Sequence, residues 1–184
     1  LINNRIVSIC GTQNEIWIGT KGGISVYDYL RNKFTTKSYT NAKTSKNEVI
    51  DFVVNQIRDF KSKMYIATAG KGLLYCGGNE EKIIQIPLYV TGKLLWEYHV
   101  QEIDFDKSGK LWCSVAGVGL VTMDVSAKKL SVVFPVVLGS GCILYDKFSN
   151  IWLGAEEGLL RYNALNKTHH LYKNQEIQYP VPDL

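Results

Sequence analysis

The stretch Ile16-Trp17-Ile18-Gly19-Thr20 decides the fold, because three other parts of the chain repeat it. These are Met64-Tyr65-Ile66-Ala67-Thr68, Leu111-Trp112-Cys113-Ser114-Val115 and Ile151-Trp152-Leu153-Gly154-Ala155. The aromatic residue recurs at Trp17, Tyr65, Trp112 and Trp152, with spacings of 48, 47 and 40 residues. A period of about 40–50 residues is typical of four-stranded β-propeller blades.

The surroundings of each aromatic residue repeat as well. An isoleucine precedes it by eight or nine residues, and a glycine with an aliphatic neighbour follows it. The isoleucines are Ile9, Ile57, Ile103 and Ile143, and the glycines are Gly23, Gly72, Gly119 and Gly158. Inner strands covered on both faces should be apolar throughout, and outer strands should alternate.

We therefore predict an all-β chain of β-propeller blades: four four-stranded antiparallel blades that form part of a larger propeller. The blades span about 5–39, 50–86, 99–133 and 141–172, and 173–184 is an exit segment. Their outer strands are expected at Lys33–Tyr39, Lys82–Ile86, Lys129–Val133 and Lys167–Tyr172. The longer connectors at 40–49 and 87–98 are expected to be loops on one face of the propeller.

Composition narrows the possible functions. Of the 184 residues, 46% are hydrophobic and 21% are charged, as in an ordinary globular protein. The net charge of +4 comes from scattered lysines and arginines, so no nucleic-acid surface is predicted. The four cysteines are far apart in sequence and lie in apolar surroundings, so we expect inert buried thiols. The chain starts at Leu1 without a methionine, which suggests an excerpt from a longer protein.

The sequence offers little chemistry for catalysis. His169 and His170 are adjacent in an expected strand, so they point to opposite faces and do not share a metal. The consecutive carboxylates Glu156 and Glu157 are expected to face water, and the glycines at 70–72 and 117–119 to serve turns. We predict no catalytic residue, no metal and no cofactor.

Ligand recognition is expected on the face that carries the long connectors. Aromatic rings in the segment 87–98 could stack on sugar rings, although the same rings could instead pack between blades. The turns after the repeated aromatic residues lie on the same expected face and supply polar contacts. The candidate ligand-binding residues are Lys21, Lys71, Lys93, Trp96, Tyr98 and Glu156.

The motif resembles the two-component regulator propeller repeat. Residues 16–24 and 151–159 match it closely, and residues 64–73 and 111–120 each carry one extra residue before the Gly-Leu pair. In that family the repeats build the extracytoplasmic sensor of hybrid two-component proteins from polysaccharide-using gut bacteria. The resemblance implies a periplasmic, non-catalytic piece of a ligand sensor whose parent is anchored in the inner membrane and carries a histidine kinase. The implied ligand is a polysaccharide or oligosaccharide.

Two other functions stay open. A generic propeller for protein interaction or dimerisation fits the same repeat. A propeller lyase fits it less well, because a catalytic histidine and metal carboxylates that converge on one face are not evident; His99 is the histidine whose replacement would test it. Four blades also leave apolar blade faces uncovered. We therefore expect partners: the remaining blades of the parent chain, or a second copy in a homodimer.

Overall fold

Twenty β-strands and no helix form the regular structure of the described residues. The computed structural model describes residues 1–77, 82–124 and 128–173. The strands form four sheets, one for each repeat of the sequence motif, and the four strands of each repeat pair antiparallel. The predicted all-β fold of propeller blades is confirmed. Within this part of the chain, nothing helical has the length and apolarity that a membrane crossing needs.

The first and fourth blades each contain four strands in sequential order. The first consists of β1 (Ile6–Gly11), β2 (Glu15–Thr20), β3 (Gly23–Asp28) and β4 (Lys33–Thr36). The fourth consists of β17 (Leu138–Tyr145), β18 (Asn150–Ala155), β19 (Gly158–Asn163) and β20 (His169–Tyr172). The first strand of each blade is its inner strand, because the first strands of consecutive blades contact one another.

The second and third blades each contain six strands. The second consists of β7 (Val54–Asp59), β8 (Met64–Thr68), β9 (Leu73–Cys76) and β10 (Ile83–Ile86), with β5 (Ser38–Thr40) and β6 (Asn47–Val49) added outside β10. The third consists of β13 (Val100–Phe105), β14 (Leu111–Val115), β15 (Gly119–Asp124) and β16 (Lys129–Pro135), with β11 (Leu88–Val90) and β12 (Lys93–Leu95) added outside β16.

The long connectors form hairpins rather than the loops expected from the sequence. In the second blade, β5 pairs in parallel with β10, and in the third, β11 pairs in parallel with β16. Each hairpin therefore lengthens the outer edge of the blade that follows it. An outer edge strand has unpaired backbone groups, and this pairing satisfies them.

The outer strand of the first blade is shorter than expected. It ends at Thr36, whereas Tyr39 belongs to β5 and pairs with Ile83 of the second blade. The Tyr39 ring is fully buried among apolar residues between the two blades, and its hydroxyl donates to Glu48. Burial of this large ring explains why the chain leaves the first blade before residue 39. The predicted exit segment beyond residue 173 lies outside the described residues.

The repeated aromatic residues face the next blade. Trp17, Tyr65 and Trp112 are nearly fully buried there, each within the apolar core between its own blade and the following one. Trp152 is only partly buried and stacks on Tyr172 of its own blade at a centroid distance of 5.9 Å. Since no described blade follows the fourth, its aromatic residue covers the open face instead.

Glycine is required after the turn that joins the second and third strands of a blade. Gly23 has a φ of 125°, and a Cβ there would lie 2.0 Å from the carbonyl oxygen of Ile50. Gly158 has a φ of 147°, and its Cβ would lie 2.1 Å from the oxygen of Tyr172. Both the backbone conformation and the close approach exclude a side chain at these positions.

The inner strands are joined from blade to blade by side chains that accept backbone hydrogen bonds. The Ile57 N–H donates to Ser8 Oγ at 2.9 Å, and the Ile103 N–H donates to Gln56 Oε1 at 2.7 Å. The Ile143 N–H donates to Glu102 Oε2 at 3.2 Å. In each case the acceptor is the residue before the repeated isoleucine of the preceding blade, so one edge N–H of the following inner strand is satisfied.

The cysteines do not all behave as expected. Cys113 is fully buried, and burial raises the pKa of its thiol well above the ordinary value. Cys10 and Cys76 are partly buried. Cys142 is exposed, contrary to the expectation of a buried thiol. It occupies the linking position of the fourth inner strand, where no described blade follows to cover it.

Candidate functional site

One face of the propeller, here called the top face, carries both the turns after the second strands and the chain entries into the inner strands. A backbone hydrogen bond joins these two parts in every blade, at 2.9–3.0 Å. The four donor–acceptor pairs are Lys21–Arg5, Ala69–Val53, Ala116–His99 and Glu156–Val137. The regular repetition of this bond places equivalent residues of all four blades at the same height.

Three of the polar candidates lie on the top face, in equivalent turns of different blades. Lys21 is in the first blade, Lys71 in the second and Glu156 in the fourth. Lys71 is held by Glu97, with Nζ 2.6 Å from Oε1, and this hydrogen bond lowers the pKa of Glu97. Because the three residues belong to separate blades, they form a ring of polar positions rather than one cluster.

The aromatic segment contributes less to the surface than expected. Tyr98 is 7% exposed, and its hydroxyl accepts from the Leu73 N–H at 3.1 Å and donates to the Ile86 carbonyl. Its ring fills the space over Gly72, where a Cβ would lie 2.3 Å from the ring. Tyr98 is therefore a core residue, and its position excludes the stacking on a sugar ring that the sequence suggested.

The other two residues of that segment differ in exposure. Trp96 is partly buried, and its carbonyl oxygen accepts from Gln85 Nε2 at 2.6 Å. Lys93 is exposed next to the turn of the β11–β12 hairpin, at the outer edge of the third blade. Because Lys93 is exposed, Trp96 partly buried and Tyr98 buried, the three do not form one exposed surface.

A cleft of about 230 Å³ opens instead beside the inner strands of the first three blades. We call it the axial cleft, and it is lined by Val7, Asn55, His99, Gln101 and Glu102. Val7, Asn55 and Gln101 occupy the same position in their blades, two residues before the repeated isoleucine. Each is the extra residue of a β-bulge at the start of its inner strand. Bulges of this kind re-aim a side chain and are frequent beside functional sites.

Asn55 and His99 form a fixed pair in the cleft. Asn55 Nδ2 donates to the Val100 carbonyl at 2.6 Å, which establishes the orientation of the amide because a carbonyl can only accept. The same nitrogen lies 3.0 Å from His99 Nε2. When the imidazole is neutral, His99 Nε2 therefore accepts and the ring proton is on Nδ1. The imidazole consequently retains one N–H donor for other partners.

Gln101 and Glu102 supply acceptors at the third blade. Glu102 uses Oε2 for the Ile143 N–H. Gln101 packs against Gly141, where a Cβ would lie 2.3 Å from the amide carbon. Its Oε1 is buried and has no hydrogen-bond partner among the described residues. A buried acceptor without a donor is unusual in proteins and costs free energy.

The opposite face has turns built for structure. Asp106 accepts from the N–H groups of Ser108 and Lys110 and from Trp112 Nε1 at 3.0 Å. Burial acts to raise the pKa of Asp106, but these hydrogen bonds hold it below its usual value. Asp146 makes the same contacts in the fourth blade, including Trp152 Nε1 at 2.8 Å. A second cleft, of about 440 Å³, opens near the Asp106 turn.

No group of three potential metal ligands occurs in the described residues. His169 contacts the Phe134 ring on one face of β20, and His170 contacts the Tyr172 ring. Glu157 is exposed and pairs with Lys173 at 2.5 Å, which lowers its pKa. The histidines and the paired glutamates therefore lie in separate surroundings.

Sequence reasoning considered His99 only as a test of catalysis and did not single out Val7, Asn55, Gln101 or Glu102. One signal was available, because Val7, Asn55 and Gln101 stand two residues before the repeated isoleucine and Glu102 stands directly before it. The residue type differs in every blade there, so the motif alone did not mark them.

The chain resembles solved extracellular domains from B. thetaiotaomicron. The extracellular domain of a one-component system aligns with 96% of this chain, and the aligned part is 23% of that domain's chain. The TM-score is 0.74 and the sequence identity is 17%. The extracellular domain of a hybrid two-component system aligns with 92% of this chain, and the aligned part is 24% of that domain's chain. The TM-score is 0.69 and the sequence identity is 23%. The chain thus spans about a quarter of the length of these structures.

A third match is the computationally designed Ika4 protein, with a TM-score of 0.55 and 11% identity over 93% of this chain and 92% of that one. Neither a protein-family model nor a curated protein sequence matches the chain. The likeness to solved structures therefore carries the assignment. The chain has the propeller fold found in the extracellular domains of these B. thetaiotaomicron signalling systems, consistent with two-component regulator propeller repeats.

Proposed function

We propose that this chain is a piece of the ligand-sensing propeller in a hybrid two-component signalling protein, and that it detects a polysaccharide or oligosaccharide. The observation that carries the proposal is the structural match over 96% of the chain to an extracellular domain of a signalling system. The sequence motif supports it as well, because residues 16–24 and 151–159 resemble the two-component regulator propeller repeat. The segment itself is non-catalytic, and signalling belongs to other parts of the parent.

The proposed location is periplasmic, with the parent anchored in the inner membrane. It is supported by the extracellular assignment of the similar domains. We propose that soluble glycan fragments reach that compartment. A propeller there could bind such fragments and transmit the signal to a kinase on the other side of the membrane.

The top face is the proposed recognition surface. It combines polar turn residues of three blades, Lys21, Lys71 and Glu156, with the entries into the inner strands beside the axial cleft. Loops and strand ends on a rigid scaffold commonly carry binding residues, because the scaffold holds them in place without cost at the moment of binding.

An interaction propeller is the second candidate, and the open blade faces favour it. Ile9 is 64% exposed, whereas the equivalent Ile57 and Ile103 are 2% and 0% exposed. Leu144 on the fourth blade is 59% exposed. These faces resemble the buried contacts between blades, so further blades of the parent or a second copy would cover them.

A glycan array combined with thermal shift and sedimentation separates the two functions. A sensor is expected to bind at least one oligosaccharide class and to melt at a higher temperature when that class is present. An interaction propeller is expected to show a mass that rises with concentration, with no effect of any glycan. Ile9→Lys and Leu144→Lys should abolish such association.

Catalysis is tested by turnover of the bound glycans. A sensor leaves them intact. Turnover that is lost in His99→Ala would overturn the non-catalytic assignment and would favour a propeller lyase instead.

A further inference from the structure

The axial cleft has a charge pattern that selects among saccharides. Of its five lining residues, Glu102 supplies the only charge when His99 is neutral, and no lysine or arginine lines it. A site of this kind attracts hydrogen-bond donors and repels carboxylate and sulfate groups.

One acceptor in the cleft is incompletely used. Glu102 binds the Ile143 N–H through Oε2 alone, and its Oε1 makes no hydrogen bond within the described residues. Gln101 Oε1 has no partner there either, but it is buried against Gly141 and out of reach of a ligand. Vicinal sugar hydroxyls are donors that carboxylates and amides accept well, and such bonds are stronger when one partner is charged.

The size of the cleft limits the ligand. Its volume of about 230 Å³ is below the roughly 300–1,000 Å³ that holds a drug-sized molecule. It therefore suits one sugar ring at the end of a glycan rather than a whole oligosaccharide. The rest of a longer glycan would lie across the top face.

We infer that the axial cleft binds a single non-anionic terminal sugar, one of whose hydroxyls donates to Glu102, and that it rejects uronic acids. This assignment rests on the proposed saccharide-sensing function and specifies its ligand class. Asn55 holds the His99 imidazole in the tautomer that leaves Nδ1–H free to donate to a ring or hydroxyl oxygen.

Glu102→Gln provides a clean test, because the chain already contains the substitution in another blade. Gln56 stands at the equivalent position and accepts from the Ile103 N–H at 2.7 Å. Glutamine at 102 can therefore keep the bond to Ile143 and remove only the charge. Gln56→Glu is the matched control, since Gln56 does not line the cleft.

The experiment is an NMR titration with methyl glycosides in matched pairs: glucoside and glucuronide, galactoside and galacturonide, mannoside and mannuronide. The readout is the imidazole signals of the three histidines. At least one neutral glycoside should shift His99 but not His169 or His170, and should bind at least tenfold more tightly than its uronide. Glu102→Gln should lower the affinity for the neutral glycoside by roughly tenfold or more, and Gln56→Glu should leave that affinity unchanged.

The remaining outcomes separate this inference from the proposed function. Equal or tighter uronide binding overturns the cleft assignment. The cleft assignment also fails if an oligosaccharide binds and Glu102→Gln leaves its affinity unchanged. It fails too if oligosaccharides bind but no monosaccharide does. In both cases the proposed sensor function stands. If no saccharide of any length binds, both fail.

Discussion

The backbone N–H of Ile143 donates to the Glu102 carboxylate at 3.2 Å and thereby joins the fourth blade to the third. The same link occurs between Ser8 and Ile57 and between Gln56 and Ile103. Serine, glutamine and glutamate all fill one role because the role needs only an acceptor at the right height. Blade order is thus secured at the inner edge by polar contacts, and between the sheets by apolar ones.

This link predicts different costs for two substitutions of Glu102. Glu102→Gln retains an acceptor, and the free energy of unfolding should change by less than about 0.5 kcal/mol. Glu102→Ala leaves the Ile143 N–H without a partner and should cost about 1–3 kcal/mol. Urea unfolding followed by tryptophan fluorescence measures both. Equal destabilisation by the two variants would show that the link is not what Glu102 contributes.

Gly23 is predicted to tolerate no side chain. Alanine there would adopt a φ of 125° with its Cβ 2.0 Å from a carbonyl oxygen, so Gly23→Ala should cost at least about 1–3 kcal/mol. Gly11 is the control, because a Cβ at that position meets nothing within 4 Å. Gly11→Ala should leave the thermal midpoint nearly unchanged. A neutral Gly23→Ala would contradict the close approach of the two blades.

Tyr98 is predicted to act in the core and not in recognition. Tyr98→Phe removes the partner of both the Leu73 N–H and the Ile86 carbonyl, so the loss in stability should be about 1–3 kcal/mol. Saccharide affinity, measured below the melting temperature, should be unchanged. If Tyr98→Phe weakened saccharide binding and left stability unchanged, Tyr98 would be a binding residue and not a core residue.

Acid should weaken the turns built on Asp106 and Asp146. Burial acts to raise both pKa values, but hydrogen bonds from tryptophan, side-chain and backbone donors lower them overall. A carboxylate with a lowered pKa in the folded state stabilises the protein above its unfolded pKa of about 3.9, and this contribution is lost as the pH falls below that value.

Unfolding measured at a series of pH values tests the acid effect. The wild-type free energy of unfolding should fall as the pH drops below about 4. Asp146→Asn keeps an acceptor for Trp152 and removes the titration, so its decline should be shallower. Identical pH profiles for the variant and the wild type would exclude Asp146 as a source of the effect.

Much of the fold followed from the sequence because the repeat encodes it directly. An aromatic residue every 40–48 positions, with an isoleucine before it and a glycine after it, suffices to place the first three strands of each blade. The hairpins outside β10 and β16 were missed, since their parallel pairing depends on contacts between residues that are far apart in sequence. Tyr39 shows the reason, because only the second blade provides its burial.

The candidate site was harder to predict. Tyr98 has the residue type of a sugar-stacking ring, but its ring fills the space above Gly72 and lies in the core. The axial cleft is assembled from three strands that lie more than 40 residues apart, and its residues share a position rather than a type. Sequence spacing locates that position, whereas only the assembled blades reveal that it is open, polar and free of cations.

Hydrogen–deuterium exchange with and without a bound oligosaccharide tests the central claim most directly. If the chain is a saccharide-sensing propeller, the ligand should protect the top face, above all residues 54–56 and 99–102 beside the axial cleft. The turns at 106–110 and 146–149 on the opposite face should exchange at unchanged rates. Protection confined to those turns, or to the open faces around Ile9 and Leu144, would contradict recognition at the top face.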